Sequence, residues 1–185
     1  MANETVATKL PARNQDDVDH GSTIAGGKFL TFALAGEDYG IEILKVQEII
    51  GIMNITPIPR TPDYVKGVMN LRGKIIPIVD LRTKFEMEAQ EQTEETCIIV
   101  VQVARKDRNV TMGVVVDCVS EVVDINSAQI ESAPSFGTNV NTDYILGMGK
   151  IADKVVVLLD VDKVLSSGEI KAVEKMVKKS SETAK

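Results

Sequence analysis

The sequence contains the same pattern of short apolar segments twice, and this duplication restricts the possible folds more than any other feature. In the first pair of blocks, Gly40 and Glu48 recur 73 residues later as Gly113 and Glu121. A second pair of blocks shares three residues at an offset of 80: Gly67 with Gly147, Lys74 with Lys154, and Asp80 with Asp160. Because each offset is constant within its block, we interpret the chain as a duplicated fold with one insertion in the second copy.

Each copy consists of short apolar or alternating segments separated by turns, which is the pattern of β-strands. Pro57, Pro59 and Pro62 interrupt the connection between two of these segments and favour extended backbone. Sheets with so few strands commonly close into barrels, because closure removes their exposed edges. The sequence therefore predicts an all-β fold of two small β-barrels side by side, with an apolar groove between them.

The predicted barrels occupy residues 28–166. We expect two halves, at about 28–95 and 96–166, because the repeat begins again near residue 96. Residues 1–27 are polar and poor in aromatic side chains, which is typical of a flexible leader.

A different pattern follows the barrels, within residues 167–185. Ser166 followed by Glu169 matches a capping box at the start of a helix. Three apolar residues then recur at helical spacing: Ile170, Val173 and Val177. We therefore expect a short amphipathic C-terminal helix from about 168 to 179 that packs its apolar stripe on one barrel.

The composition argues against enzymes, metal sites and nucleic-acid binding. The single histidine, His20, lies in the predicted leader, so a Ser or Cys nucleophile in the barrels has no histidine base. Cys97 and Cys118 match no zinc motif and are expected to be small core side chains. A net charge of −6 opposes binding to nucleic acids or anionic membranes. We predict a cytoplasmic protein with no enzymatic activity, cofactor, metal or membrane insertion.

The stretch Lys66–Phe85 is the most distinctive part of the first copy. It contains five basic residues and one acidic residue, although the whole chain is acidic. Its glycine spacing is one residue too long for a phosphate-binding P-loop, and Ile75 stands where that motif needs Ser or Thr. The second copy has Ala152 at the position of Arg72. This asymmetry indicates a binding role for Arg72 in the first copy.

Three long motifs cover most of the first copy: YGIEILKVQEI at 39–49, TPDYVKGVMNLRG at 61–73 and PIVDLRTKF at 77–85. They closely resemble the CheW family of chemotaxis coupling proteins, and the resemblance covers about residues 28–166. It implies two SH3-like five-stranded β-barrel subdomains. It also implies a non-catalytic adaptor that couples the cytoplasmic helical tips of chemoreceptors to the regulatory domain of the histidine kinase CheA, at arrays of membrane-bound receptors.

The same resemblance implies the receptor-binding positions, which fall on Ile43, Val46, Glu48 and Arg72. A receptor tip is a helical hairpin, so an apolar groove between the barrels would receive it, with Glu48 and Arg72 fixing its register at the rim. An internal ion pair between Arg72 and either Glu48 or Asp80 is the alternative role of this arginine. The two roles are compatible.

The kinase-facing surface carries no motif of its own. We name Val115 as a candidate kinase-binding residue, because MGVVVD provides apolar positions that we expect to be exposed. An alternative function is a barrel pair that binds a small molecule, or another protein, outside chemotaxis. The composition is compatible with both functions.

Overall fold

The computed structural model describes residues 24–135 and 141–183, so most of the predicted leader lies outside the described residues. The strands are β1 (Gly27–Leu34), β2 (Glu37–Glu42), β3 (Val46–Gly51), β4 (Val65–Leu71), β5 (Lys74–Asp80), β6 (Cys97–Ala104), β7 (Asn109–Val116), β8 (Cys118–Ile125), β9 (Ile130–Glu131), β10 (Ile145–Ile151) and β11 (Lys154–Leu159). The helices are α1 (Leu81–Lys84), α2 (Val161–Val164) and α3 (Ser167–Thr183), and 3-10 turns occur at Ile43–Lys45 and Ser127–Gln129.

The strands form two sheets with equivalent orders. One sheet has the order β3-β6-β7-β5-β4, and the other has the order β8-β1-β2-β11-β10-β9. The first repeat comprises β1 to β5, and the second comprises β6, β7, β8, β10 and β11. We number each strand by its position within its own repeat and leave out the two-residue β9. Both sheets then have the same order: third, first, second, fifth and fourth strand. The predicted all-β fold, with its duplication and C-terminal helix, is confirmed.

Neither sheet is built from a single repeat. The first two strands of each repeat join the last three strands of the other, so β1 and β2 pair with β8 and β11, while β6 and β7 pair with β3 and β5. The predicted halves, 28–95 and 96–166, follow the repeats but are wrong as barrel boundaries. Equivalent strands of the two copies present the same alternation of side chains, so the sequence pattern does not distinguish exchanged pairing from unexchanged pairing.

The chain passes from one sheet to the other at two equivalent places. The 3-10 turn Ile43–Lys45, which we call the first crossover, connects β2 to β3. Asp117, which we call the second crossover, connects β7 to β8. The offset of 73 residues pairs Leu44 with Asp117, so the repeat places both crossovers at the same point of the fold.

Buried apolar side chains form three clusters. The largest, which we call the central core, contains residues of both sheets, such as Phe32 on β1 and Val101 on β6. Two smaller clusters each belong to one sheet: Ile78 and Ile98 contribute to the first, and Leu158 contributes to the second. Because most of the buried apolar surface lies between the sheets, the two barrels depend on each other for stability.

The prediction of an apolar groove between the barrels is wrong for the centre of the molecule. The central core fills that space, and the cavity between residues such as Ile41, Val101 and Leu159 has a volume of about 10 Å³. The faces of the two sheets that meet there are apolar, so packing them together removes more apolar surface from water than leaving a groove would.

Two aspartates at equivalent positions begin the short helices. The Asp80 carboxylate accepts a hydrogen bond from the Arg82 backbone N–H at 2.9 Å, and the Asp160 carboxylate accepts one from the Asp162 N–H at 3.0 Å. Each satisfies a backbone donor that has no partner within the helix. The aspartate that the repeat retains is therefore a helix cap in both copies.

The C-terminal helix α3 begins with the predicted capping box. The Ser166 N–H donates to Glu169 Oε2 at 2.6 Å, and the Glu169 N–H donates to Ser166 Oγ at 3.2 Å. Ile170 and Val173 are buried, as the helical spacing predicts. The helix is longer than expected, because it extends through four further polar residues to Thr183.

Glu169 also attaches α3 to the barrels. Its Oε1 accepts hydrogen bonds from Tyr64 Oη and Lys84 Nζ, both at 2.5 Å, and Lys84 Nζ lies 4.5 Å from the centre of the Tyr64 ring. Burial acts to raise the pKa of Glu169, but hydrogen bonds from Lys84, Tyr64 and Ser166 outweigh it and lower the pKa to about 2. The charged carboxylate therefore stabilises the attachment of α3.

Replacing this carboxylate with an amide, Glu169→Gln, should lower the free energy of unfolding at neutral pH by about 1–3 kcal/mol, because charge-assisted hydrogen bonds are lost. The folded-state pKa lies below the ordinary value of 4.5, so this stabilisation is complete above that value and disappears as the pH falls towards 2. Urea unfolding at pH 7 and at pH 3 should show a smaller difference between variant and wild type at pH 3. An equal difference at both values would contradict this role of the charge.

Candidate functional site

Arg72 and Gly73 form the two-residue turn that joins β4 to β5. Their φ angles are 52° and 86°, and positive values at both positions are typical of a type I′ hairpin turn. Glycine suits the second of these positions, because it adopts a positive φ without steric strain. Ala152, at the equivalent position of the second copy, has a φ of 51°, so the turn geometry belongs to the repeated scaffold and only the side chain at position 72 differs.

The Arg72 side chain reaches from this turn to the neighbouring strand β3. Its two terminal nitrogens donate to the two carboxylate oxygens of Glu48 at 2.9 and 2.8 Å, in a bidentate pair. The arginine side chain remains 77% exposed, while that of Glu48 is 23% exposed. Of the two internal partners that the sequence allowed, Glu48 is therefore the observed one. Asp80 instead forms an ion pair with Lys66 at 3.3 Å.

Ile43 and Val46 lie on the segment that leads into Glu48. Both are half-buried and pack against the edge of the central core. The structure thus joins Glu48 and Arg72 directly, whereas Ile43 and Val46 are connected to them through the backbone of the first crossover and β3. The predicted receptor-facing residues combine an apolar edge with a charged pair whose arginine is accessible.

Val115 is not the exposed residue that we expected. It is 7% exposed and packs inside the barrel of the five-stranded sheet, with Ile78 and Ile98. β7 is a central strand between β5 and β6, so both of its faces are covered, and its run of consecutive apolar residues is typical of such a strand. The expectation that Val115 is exposed, which was the reason to name it as a kinase-binding candidate, is wrong.

The first crossover is held in place by an ion pair that we did not predict. Lys45 Nζ lies 2.5 Å from Asp162 Oδ2, and Asp162 Oδ1 accepts a hydrogen bond from the Ala104 N–H at 2.7 Å. The two charged side chains are half-buried, so solvent screens them less than a fully exposed pair. Because 117 residues separate Lys45 from Asp162, no local spacing signals this contact.

The second crossover is held by a different charged pair. Arg82 donates to Asp117 Oδ1 at 2.7 Å and to Oδ2 at 2.6 Å, and it also donates to the backbone carbonyl of Glu88. The hydrogen bonds from Arg82 lower the pKa of Asp117. A polar cavity of about 650 Å³ lies between this crossover and the exposed acidic loop at 86–95. Its two basic side chains, Lys66 and Arg82, are both paired with aspartates.

Residues 24–135 and 141–183 contain no group of three or more His, Cys, Asp or Glu side chains arranged to hold a metal ion. Within the same ranges, no helix is long and apolar enough to cross a membrane. Cys97 and Cys118 are half-buried free thiols, and Cys97 packs against the central core. The candidate site consists of the first crossover, β3 and the turn that carries Arg72, because the predicted receptor-facing residues lie on these three elements.

Comparison with known proteins assigns the chain to a family. The model of the CheW-like domain matches residues 28–169. The chain belongs to the CheW family. This assignment includes both barrels and the start of α3, so the Glu48–Arg72 pair and both crossovers lie within the CheW-like domain.

Relatives of known name agree with the assignment. The chain is 43% identical over 158 residues to the chemotaxis protein CheW of Klebsiella aerogenes, which covers 85% of this chain and 92% of the relative. It is 34% identical over 139 residues to CheW of Helicobacter pylori, covering 75% of this chain and 81% of the relative. The crystal structure of the scaffolding protein CheW from Thermoanaerobacter tengcongensis superimposes with a TM-score of 0.69 at 33% identity, covering 78% of this chain and 95% of that one. The chain is a chemotaxis coupling adaptor.

Proposed function

We propose that this CheW-family protein couples the cytoplasmic helical tips of chemoreceptors to the regulatory domain of the histidine kinase CheA, without catalysing a reaction itself. It would act in the cytoplasm, at arrays of membrane-bound receptors. The observation that carries the receptor side of the proposal is the bidentate pair between Glu48 and Arg72, two positions that the family resemblance assigns to receptor binding.

The geometry of this pair suits recognition of a helical hairpin. Glu48 holds the guanidinium in one orientation, while most of the Arg72 surface stays accessible to a partner. A guanidinium fixed in this way presents its remaining N–H donors in a defined direction, towards a carboxylate or a helix carbonyl. The half-buried Ile43 and Val46 supply apolar surface on the same segment, as a helix face requires.

A barrel pair that binds a small molecule is not favoured. The inside of each barrel is filled by side chains such as Ile78 and Leu158, which are fully buried. Barrels that hold small ligands keep an internal cavity for them. The barrels instead serve as rigid supports for surface residues, as expected of a protein-binding adaptor.

The Arg72 contact can be separated from the backbone strain of its turn. Arg72→Asn removes the guanidinium but retains a residue that tolerates a positive φ, so the variant should fold as stably as wild type. An exposed ion pair contributes only about 0–1 kcal/mol to stability. Binding to a soluble chemoreceptor hairpin, measured by fluorescence anisotropy, should weaken by about 2 kcal/mol or more if Arg72 is a central contact.

The matched control for this experiment is the equivalent residue of the second copy. Ala152→Asn places the same side chain at a φ of 51° but is expected to leave receptor affinity unchanged. A lowered melting temperature for Arg72→Asn together with unchanged receptor affinity would instead show that the Glu48–Arg72 pair is only structural.

A further inference from the structure

Leu44, in the middle of the first crossover, is almost completely exposed. Its exposed fraction is 93%, while the other exposed large apolar side chains of the described residues range from 44% to 54%. A single exposed leucine on a protein surface needs no explanation by itself. Two further observations concern Leu44 and the turn that carries it.

The first observation comes from comparing the two copies. Four of the exposed apolar residues form equivalent pairs: Ile49 with Val122 at 45% and 49%, and Ile75 with Val155 at 44% and 54%. Exposure at these positions is therefore a property of the repeated scaffold. Leu44 has no such counterpart, because the second copy has Asp117, whose carboxylate is held by Arg82 and by the Ala35 N–H.

The second observation is the rigidity of the turn that carries Leu44. Ile43 packs against the central core on one side, and Lys45 is paired with Asp162 on the other. The backbone at Leu44 is therefore fixed from both sides while its side chain points away from the protein. A preorganised backbone loses less conformational entropy when its side chain binds a partner.

We propose that Leu44 is an apolar anchor that inserts between the two helices of a chemoreceptor hairpin. This inference rests on the proposed function and adds a residue to that site. Leu44 is continuous with the receptor-facing segment, because it lies between Ile43 and Val46 in the chain. Like Arg72, Leu44 has no equivalent side chain in the second copy, and both residues would contact the receptor.

Receptor binding by Leu44 variants tests the proposal. Leu44→Ser should weaken binding to the soluble cytoplasmic hairpin fragment of a chemoreceptor about tenfold, because an anchor leucine loses its apolar contact. Leu44→Met should bind like wild type, since it conserves apolar volume. The matched control is Val155→Ser, which changes an exposed apolar residue of the second copy and should leave receptor affinity unchanged. Because Leu44 contacts solvent on nearly all sides, the melting temperature should not change.

The outcomes separate this inference from the proposed function. If Leu44→Ser binds as tightly as wild type while Arg72→Asn binds more weakly, Leu44 is not an anchor and the proposed function stands. If Val155→Ser weakens binding as much as Leu44→Ser, the loss is a general effect of apolar surface and the inference fails. If the wild-type protein does not bind the hairpin fragment, both the proposed function and the inference fail.

Discussion

Gly67→Ala should destabilise the protein by about 3 kcal/mol or more, since a side chain at this position meets backbone atoms that do not yield. A Cβ atom on Gly67 would lie 2.1 Å from the carbonyl oxygen of Thr56, and the φ angle of 136° is unfavourable for any other residue. That carbonyl accepts a hydrogen bond from the Val68 N–H at 2.9 Å. The substitution would therefore break the bridge between the Thr56 segment and β4.

Two other glycines separate the two contributions to this effect. Gly73 has a φ of 86°, but a Cβ added there would meet no atom within 4 Å, so Gly73→Ala should cost only about 1 kcal/mol for the backbone conformation. At Gly147, the equivalent of Gly67, a Cβ would lie 2.7 Å from the Glu131 carbonyl oxygen, and we expect an intermediate cost. Urea unfolding measures all three. Equal losses for Gly67→Ala and Gly73→Ala would contradict the proposed clash.

Cutting the chain between its repeats should abolish folding of either fragment alone. A protease site placed between Gln92 and Thr93, in the exposed acidic loop, would separate β1–β5 from β6–β11. Each fragment would then hold only part of either sheet, and the central core would lose one of its two sides. The free energy lost with that much buried apolar surface exceeds the usual free energy of unfolding of a domain, which is about 5–15 kcal/mol.

The cleaved protein is the control for the isolated fragments. When both fragments are present they should remain associated, elute together in gel filtration and show one cooperative thermal transition. Each purified fragment should show no such transition by circular dichroism. If each fragment melted cooperatively near the temperature of the intact chain, each repeat would form its own barrel, contrary to the exchanged strand pairing.

Local signals in the sequence were sufficient for the parts of the fold that depend on neighbouring residues. The capping box at Ser166 and Glu169 predicted the start of α3, and the spacing of Ile170 and Val173 predicted its buried face. In each case the residues that determine the structure lie within a few positions of one another, so their spacing alone carries the information.

Contacts between distant residues could not be predicted in the same way. The pair of Lys45 with Asp162 and the attachment of Glu169 to Tyr64 each join segments more than 100 residues apart. The exchange of strands between repeats leaves the alternation of side chains unchanged, so the sequence contains no trace of it. Val115 is different, because its run of consecutive apolar residues already indicated burial on both faces of a strand.

In the candidate site, sequence motifs predicted some of the residues, and the structure added the contacts and the exposure of their side chains. Glu48 and Arg72 were identified through motifs, while the structure added their direct contact and the exposure of the guanidinium. Leu44 lies within the same motif, but the sequence alone does not show that its side chain is exposed. Comparison of the two copies makes it recognisable, since Asp117 occupies the equivalent place.

Co-sedimentation tests the central claim, which is that the protein bridges receptor and kinase. Membranes that contain a chemoreceptor would be mixed with the kinase CheA, with and without the purified adaptor, and then pelleted. We predict that the kinase appears in the pellet only when the adaptor is present, and that Arg72→Asn reduces the amount of both adaptor and kinase in the pellet. If the folded wild-type adaptor leaves the kinase in the supernatant, the coupling function is contradicted.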